Sequence, residues 1–311
     1  MMKKIAVMML VCAVVLSAWG TTVQAKDKKI VIGAAAAQFA DKWLSFLHDG
    51  ITKFDEEHDD VKIIMTDGKA DPAVQMNQVE TLLTQGVDAI MIIPVDISTI
   101  GPIINSCKGA GVPLVVVNRL PEAEFVEQID VYVGSESIQA GIMQAEWVVE
   151  ALPEGGKVVI ITGMPGHEAA IMRTEGNKQI FAKHENIEIV TEVTGKWDRA
   201  LGMQVAENLY QANPDLKAII ANNDEMAIGA LLAAQAIGIT DEEMIIAGVD
   251  ATPDALEFVG QGLDVTVFQS AVGQGYGGAE AAYKLVKGEE VEKMQWIPYE
   301  LVTVENMADY E

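Results

Sequence analysis

Four apolar runs in this chain each stop at a small amide or carboxylate. They read Val115-Val116-Val117-Asn118, Ile219-Ile220-Ala221-Asn222-Asn223-Asp224, Ile245-Ile246-Ala247-Gly248-Val249-Asp250 and Val265-Thr266-Val267-Phe268-Gln269. Amides donate and accept hydrogen bonds and carboxylates accept them, so the set suits a polyhydroxylated ligand. Taken singly, each could be an ordinary cap on the next helix. Taken together, at the carboxyl ends of strands, they line the crevice of an open parallel sheet.

Two tryptophans add apolar faces to this chemistry. Aromatic residues make up only 6% of the chain, yet Trp43 stands at a helix start after Asp41-Lys42, and Trp197 follows a strand in Gly195-Lys196-Trp197-Asp198. Two indoles across a cleft can sandwich the C–H face of a sugar ring while its hydroxyls meet polar groups around the edge. The alternative for each is a core position. Gly163-Met164-Pro165-Gly166-His167 also follows a strand, and Arg173 comes two turns into the next helix. A guanidinium offers fixed donors and keeps its charge, which suits hydroxyl recognition; the alternative is a surface arginine.

Other chemistries lack their apparatus. Gly273-Gln274-Gly275-Tyr276-Gly277-Gly278 matches the G-x-G-x-x-G dinucleotide pattern. A cofactor there also needs an acidic residue ending a further strand of a βαβ unit. One strand is left in the chain, so the glycines read as a flexible helix entry and a secreted NAD-dependent oxidoreductase is disfavoured. No phosphate-binding loop and no Gly-x-Ser-x-Gly elbow occurs. His48, His58, His167 and His184 have no spacing suited to a shared metal. No enzyme activity, cofactor or metal is expected.

The elements that must position these residues alternate almost throughout. Strands are predicted at 30–35, 61–65, 89–93, 114–117, 131–133, 158–161, 187–194, 218–221, 244–249 and 265–268, with helices between them. The strands are near-continuous Val/Ile runs, as expected when helices cover both faces. The fold class is α/β with parallel sheets. There are too many strands for one short sheet, so two lobes are expected. Short crossings are predicted at Tyr132-Val133-Gly134, around Gln269-Ser270, and at Ile297-Pro298-Tyr299, forming a hinge beside a cleft.

Residues 1–25 read as a secretory signal. Lys3 and Lys4 precede an apolar stretch from Ile5 to Ala18, and small residues lead to a cut after Ala25. The mature chain is expected in the periplasm. Removing that segment takes two lysines and no acid, so the formal charge goes from −25 to −27. Such a chain repels nucleic acid and anionic membranes. Cys107 alone survives processing, which leaves no intramolecular disulfide and suggests a buried structural thiol.

The combination of Asp41-Lys42-Trp43, Asn118-Arg119-Leu120-Pro121, Gly163 to His167 with Arg173, Lys196-Trp197-Asp198, Ala221 to Ala227 and Gly248-Val249-Asp250-Ala251-Thr252-Pro253 resembles the periplasmic sugar-binding proteins of the galactose/glucose- and ribose-binding family. The resemblance covers nearly the whole mature chain. It implies two Rossmann-like lobes, residues 27–131 with 270–297 and residues 132–269 with 298–311, joined by three hinge strands in the type I periplasmic binding protein fold. It implies a monomer that closes on one monosaccharide and delivers it to an ABC import permease, with a chemoreceptor as a further partner. Asp41, Asn118, His167, Arg173, Asn223, Asp250 and Gln269 would bond hydroxyls, Trp43 and Trp197 would stack on the ring, and Arg119 matches a contributor in the ribose branch.

The chain departs from that pattern at three places. Close behind the His, where glucose/galactose binders carry an acid, stands Ala169. Gln269 follows the ribose branch. The connection Leu152-Pro153-Glu154-Gly155-Gly156 has too few oxygen ligands for the calcium loop of the galactose branch. A cyclitol or other polyol is the alternative ligand. A transcription regulator's effector domain shares the fold, but an export signal occupies the place of its DNA-binding headpiece.

Overall fold

The computed structural model describes residues 29–241 and 243–310; the signal segment lies outside the described residues. In chain order the elements are β1 (Ile30–Ala36), α1 (Lys42–Glu57), β2 (Val61–Asp67), α2 (Pro72–Thr84), β3 (Ala89–Ile92), α3 (Ile100–Ala110), β4 (Leu114–Val117), α4 (Ala123–Val126), β5 (Val131–Gly134), α5 (Ser137–Ala151), β6 (Gly156–Thr162), α6 (Glu168–Phe181), β7 (Ile187–Thr194), α7 (Arg199–Ala212), β8 (Leu216–Ala221), α8 (Asp224–Ala236), β9 (Ile245–Ala247), α9 (Pro253–Leu256), β10 (Thr266–Gln269), α10 (Ala271–Val286), β11 (Met294–Trp296) and β12 (Tyr299–Val302).

Continuous apolar runs become central strands because helices bury both of their faces. Every residue of β3, β4 and β5 is buried. The first sheet has the order β11-β5-β4-β3-β1-β2 and is parallel throughout. The second has the order β7-β6-β8-β9. Parallel bridges Ala247–Val265 and Asp250–Phe268 extend it to β10, which pairs antiparallel with β12. Both sheets therefore run 2-1-3-4-5 in their own strand order, the doubly wound pattern whose ligand crevice opens where the order reverses. The fold is the two-lobe type I arrangement expected from the sequence.

Three differences from the sequence reading have local causes. Tyr132–Gly134 were expected to cross between lobes, but they pair with β4 on one side and β11 on the other, so the chain leaves the first sheet at Ser135. The strand β11 was not foreseen, because Met294-Gln295-Trp296 is too short and mixed to carry a period. The glycine run Gly273–Gly278 lies inside α10, not in a helix entry. A Cβ at Gly275 would overlap the carbonyl of Leu47, and one at Gly50 would overlap that of Val272, so α1 and α10 touch backbone to backbone. The same close seam joins α5 to α6, at Gly141 and Gly176, and α7 to α8, at Gly202 and Gly229.

A buried glutamine finishes each lobe near its crevice. Gln75 donates to the carbonyls of Ala35, Ala36 and Ile93, and Gln144 to those of Ala221 and Gly248. These bonds satisfy strand-end carbonyls where the parallel ladder stops. Cys107 is buried in α3, and burial pushes its thiol up to about 12, so it is inert at neutral pH. Among the described residues no helix is long and apolar enough to cross a membrane.

Candidate functional site

The carboxyl ends of both sheets face one cavity of about 360 Å³. All ten residues singled out from the sequence line it: Asp41, Trp43, Asn118 and Arg119 from the first lobe, and His167, Arg173, Trp197, Asn223, Asp250 and Gln269 from the second. Capping and lining coincide at two of them. The Asp41 carboxylate accepts from Leu44 N at 2.9 Å at the start of α1, and the Asn223 carbonyl oxygen accepts from Met226 N at 3.1 Å at the start of α8. A short side chain at a helix N-cap is held by the helix and still reaches outward.

The backbone around the cavity is strained. Asn118, Lys196, Trp197 and Asp250 hold positive φ values of 68°, 52°, 67° and 127°. Asn tolerates the left-handed region, but Trp does not. Such conformations cost about 1–3 kcal/mol each and collect at functional sites, where the surroundings over-determine them. The Trp197 indole lies directly over Gly163, where any Cβ would overlap it. That contact explains the first glycine of Gly163-Met164-Pro165-Gly166. Both tryptophans are half-buried, Trp43 against the first-lobe core and Trp197 against the second, each with part of its surface left to the cavity.

Arg173 is the hub of the second lobe and is not a surface residue, being 4% exposed. It donates to Asn222 O at 2.6 Å, Gln269 Oε1 at 2.7 Å and the Tyr299 hydroxyl at 3.2 Å, and faces Asp250 Oδ1 at 3.7 Å. Burial works against its charge, but Tyr299 and Asp250 hold it above its ordinary value. Burial pushes Asp250 well up, opposed by Arg173 and reinforced by Asp224, Asp41 and Glu225. Asp224 lies behind the cavity, where its Oδ1 accepts from Thr266 Oγ1 at 2.7 Å.

Arg119 donates to the carbonyls of Pro94 at 2.7 Å and Val95 at 2.9 Å. Burial pulls it down to about 10, against Asp41 and Asp96, so it stays charged at neutral pH. His167 packs edge-on to Trp197 with ring centroids 5.4 Å apart. Neither of its ring nitrogens, nor Nε of Arg119 or Arg173, has a protein partner, although all four atoms are buried. Buried polar groups are rarely left so, and these four surround one cavity. Burial, with Arg119 and Arg173 nearby, drives His167 down to about 3, so it is neutral.

The sequence reading gave no role to a charged group that closes the rim. Lys42 of the first lobe reaches Glu225 Oε1 at 3.3 Å and the Asp254 carboxylate, both of the second. Arg199 holds Glu225 with two bonds of 2.8 Å. Thr252, Met164, Lys196 and Gln38 also line the cavity without having been singled out. Thr252 could have been found from its place two residues after Asp250; the pairing of Lys42 with Glu225 and Asp254 left no trace in the sequence. Glu168, the acid directly after His167, does not line the cavity; it accepts from Ser137 Oγ at 2.9 Å. Ala169 does line it, so the second position after the histidine offers no carboxylate. Among the described residues no group of three or more His, Cys, Asp or Glu is placed to hold a metal.

Two doubly wound lobes around one cavity, with indoles and hydrogen-bonding groups from both, define a two-lobe solute-binding protein. Comparison with known proteins gives the family. Residues 32–290 match the periplasmic binding protein domain, and the chain belongs to that family. It is 40% identical over 284 residues to a putative rhizopine-binding protein of Rhizobium meliloti, covering 90% of this chain and 92% of that one. It is 34% identical to the ribose import binding protein RbsB of Bacillus subtilis (strain 168), covering 89% and 88%. Among solved structures, an ABC transporter solute-binding protein of Bacillus halodurans C-125 with bound myo-inositol superposes with a TM-score of 0.87 at 43% identity, over 92% of this chain and 99% of that one. One from Actinobacillus succinogenes 130z with bound D-allose gives 0.85 at 26% identity, over 91% and 100%.

Proposed function

We propose that this protein is the exported binding component of an ABC importer, that it captures a cyclitol such as myo-inositol in the cleft between its lobes, and that it delivers the ligand to a membrane permease. The carrying observation is the cavity itself: indoles from opposite lobes, with Asp41, Asn118, Arg119, His167, Arg173, Asn223, Asp250 and Gln269 around them. A ring with a hydroxyl on every carbon needs partners on all sides, and both lobes supply them. Myo-inositol has about a dozen heavy atoms. A micromolar Kd needs about −8 kcal/mol, well inside the small-ligand ceiling of about −1.5 kcal/mol per atom. The 43% identity to the protein with bound myo-inositol favours a cyclitol over a monosaccharide. The 34% identity to a ribose import binding protein keeps a monosaccharide as the second reading.

In this reading the lobes divide at residues 134/135, three positions later than the 131/132 boundary expected from the sequence because β5 belongs to the first sheet, and at 269/270 and 297/298; the protein acts as a monomer in the periplasm, and it catalyses nothing. A thermal-shift panel of myo-inositol, scyllo-inositol, D-ribose, D-allose, D-glucose, D-galactose, a sugar phosphate and NAD tests it. Myo-inositol at 100 times its Kd is expected to add about 2.7 kcal/mol of stability. A shift with ribose or allose alone would restore the monosaccharide reading. A shift with only the phosphate ester or NAD would sink both.

The rim pairs make a kinetic expectation. Lys42 and Asp254 are half-exposed, so the cluster contributes little at high salt, where the Debye length falls to about 3 Å at 1 M. Lys42→Met is expected to speed release of myo-inositol a few-fold in stopped-flow at low salt. The gap from the parent should close in 1 M NaCl; a salt-independent gap would mean that the lysine acts by packing.

A further inference from the structure

Three short segments carry the chain between the lobes: Ser135-Glu136 after β5, Ser270 between β10 and α10, and Ile297-Pro298 between β11 and β12. Side chains on and behind the cavity wall tie these crossings together. On the second-lobe side Arg173 donates to Gln269, which ends the strand before the second crossing, and to Tyr299, which follows the third. On the first-lobe side the tie is Gln274, in the first turn of α10. It is fully buried, as is its neighbour Ser135. Its Oε1 accepts from Asn118 Nδ2 at 3.0 Å, and its Nε2 donates to Ser135 Oγ at 2.9 Å. The Tyr132 hydroxyl donates to the Asn118 carbonyl at 2.9 Å, fixing the backbone of the same residue.

This chain of bonds holds the Asn118 side chain from behind. In this arrangement Ser135 Oγ accepts from Gln274 and the Gln274 oxygen accepts from the Asn118 NH₂, so one end of the Asn118 amide is anchored behind the cavity. That leaves the Oδ1 of Asn118 and its second N–H for the cavity. A free asparagine could turn either end inward, since the amide is nearly symmetric in shape. We propose that Gln274 is a positioning residue for ligand binding: braced by Ser135, it holds the Asn118 amide in one orientation towards the ligand, and it couples that orientation to the first and second crossings. Fully satisfied buried networks of this kind specify one arrangement, and partly satisfied ones do not.

The inference rests on the proposed polyol reading only for its choice of probe. In calorimetric titration with myo-inositol, Gln274→Leu is expected to weaken binding at least tenfold, because Asn118 loses its anchor and Ser135 its donor. Gln274→Glu keeps an acceptor for Asn118 and should restore most of the lost affinity. Ser135→Ala, a smaller change made in case Gln274→Leu does not fold, should weaken binding three- to tenfold. A purely structural role would lower the melting temperature of these variants and leave the Kd of the folded protein alone; that result overturns the proposal.

A ligand-free readout keeps the two readings apart. In protein labelled with ¹⁵N-asparagine, the Asn118 side-chain NH₂ pair, identified by its loss in Asn118→Ala, should be protected from solvent exchange in the parent and in Gln274→Glu. It should lose that protection in Gln274→Leu, or in Ser135→Ala if Gln274→Leu does not fold. If myo-inositol does not bind the parent, the ligand reading fails, and this measurement alone decides the relay. An unprotected pair in the parent, or one equally protected in the variant, overturns it.

Discussion

Replacing Arg173 by Met is expected to weaken ligand binding at least a hundredfold and to cost about 3–5 kcal/mol of folding stability, as breaking a buried pair from one side does. The guanidinium lies between Asn222, Gln269, Tyr299 and Asp250, so its loss strands three acceptors and leaves Asp250 beside Asp224 with no opposing charge. The damage has a definite pH sense. Burial already raises Asp250 above the usual carboxylate range, and a carboxyl raised on folding is penalised above its folded pKa and relieved as pH falls. The variant should therefore recover stability relative to the parent between pH 8 and pH 5. Urea melts at those two pH values measure it. Loss of binding with full stability at pH 8 would show that Arg173 serves the ligand only.

The second large effect concerns His167. Its ring is neutral when enclosed, with a pKa driven down to about 3 by burial and by Arg119 and Arg173, against an ordinary value of 6.5. If the lobes open without ligand, the ring regains solvent and with it a more ordinary pKa. Closing then expels a proton below pH 6.5, and affinity falls up to tenfold per pH unit on the acid side. At pH 5 the loss reaches about twenty-fivefold relative to pH 7. Asp250 works in the opposite sense, since its raised pKa favours proton uptake on closing. The informative quantity is therefore the difference in pH slope between the parent and His167→Gln, which keeps the Asp250 contribution and removes the imidazole. Trp197 packs against the ring, so its fluorescence is a natural probe for both titrations. Equal slopes in the two proteins would mean that the histidine is as hydrated open as closed.

What could be read from the sequence was the part written in residue type at fixed places. Val/Ile runs ending in Asn, Asp or Gln encode both a buried parallel strand and the group at its carboxyl end, so Asn118, Asn223, Asp250 and Gln269 were visible together with the elements that bring them to one cavity. Trp43 and Trp197 were visible because large aromatics are scarce in this chain. The rest depends on pairings over long separations. Ser135 and Gln274 are 139 positions apart, and Lys42 and Asp254 are 212 apart. Neither end of such a pair carries a local signal. The glycines of α10 were misread for a related reason: a helix can tolerate glycine where another backbone must come close, and the neighbour that requires it, α1, is far away in the chain.

Those glycine seams bear on how the protein can move. Where α1 meets α10, α5 meets α6 and α7 meets α8, carbonyls sit in notches that have no side chain to yield. Sliding one helix along its partner by even a fraction of a turn would drive a carbonyl into the next Cβ. Shear, the mode in which packed helices creep past one another through many small rotamer adjustments, is thereby blocked inside each lobe. Torsional change is left to the three linking segments, whose few φ/ψ angles must absorb all of it. Such a molecule has close to one soft degree of freedom. Noise in the angle between its halves would then be governed by a handful of backbone bonds and would be largely insensitive to how well either core is packed.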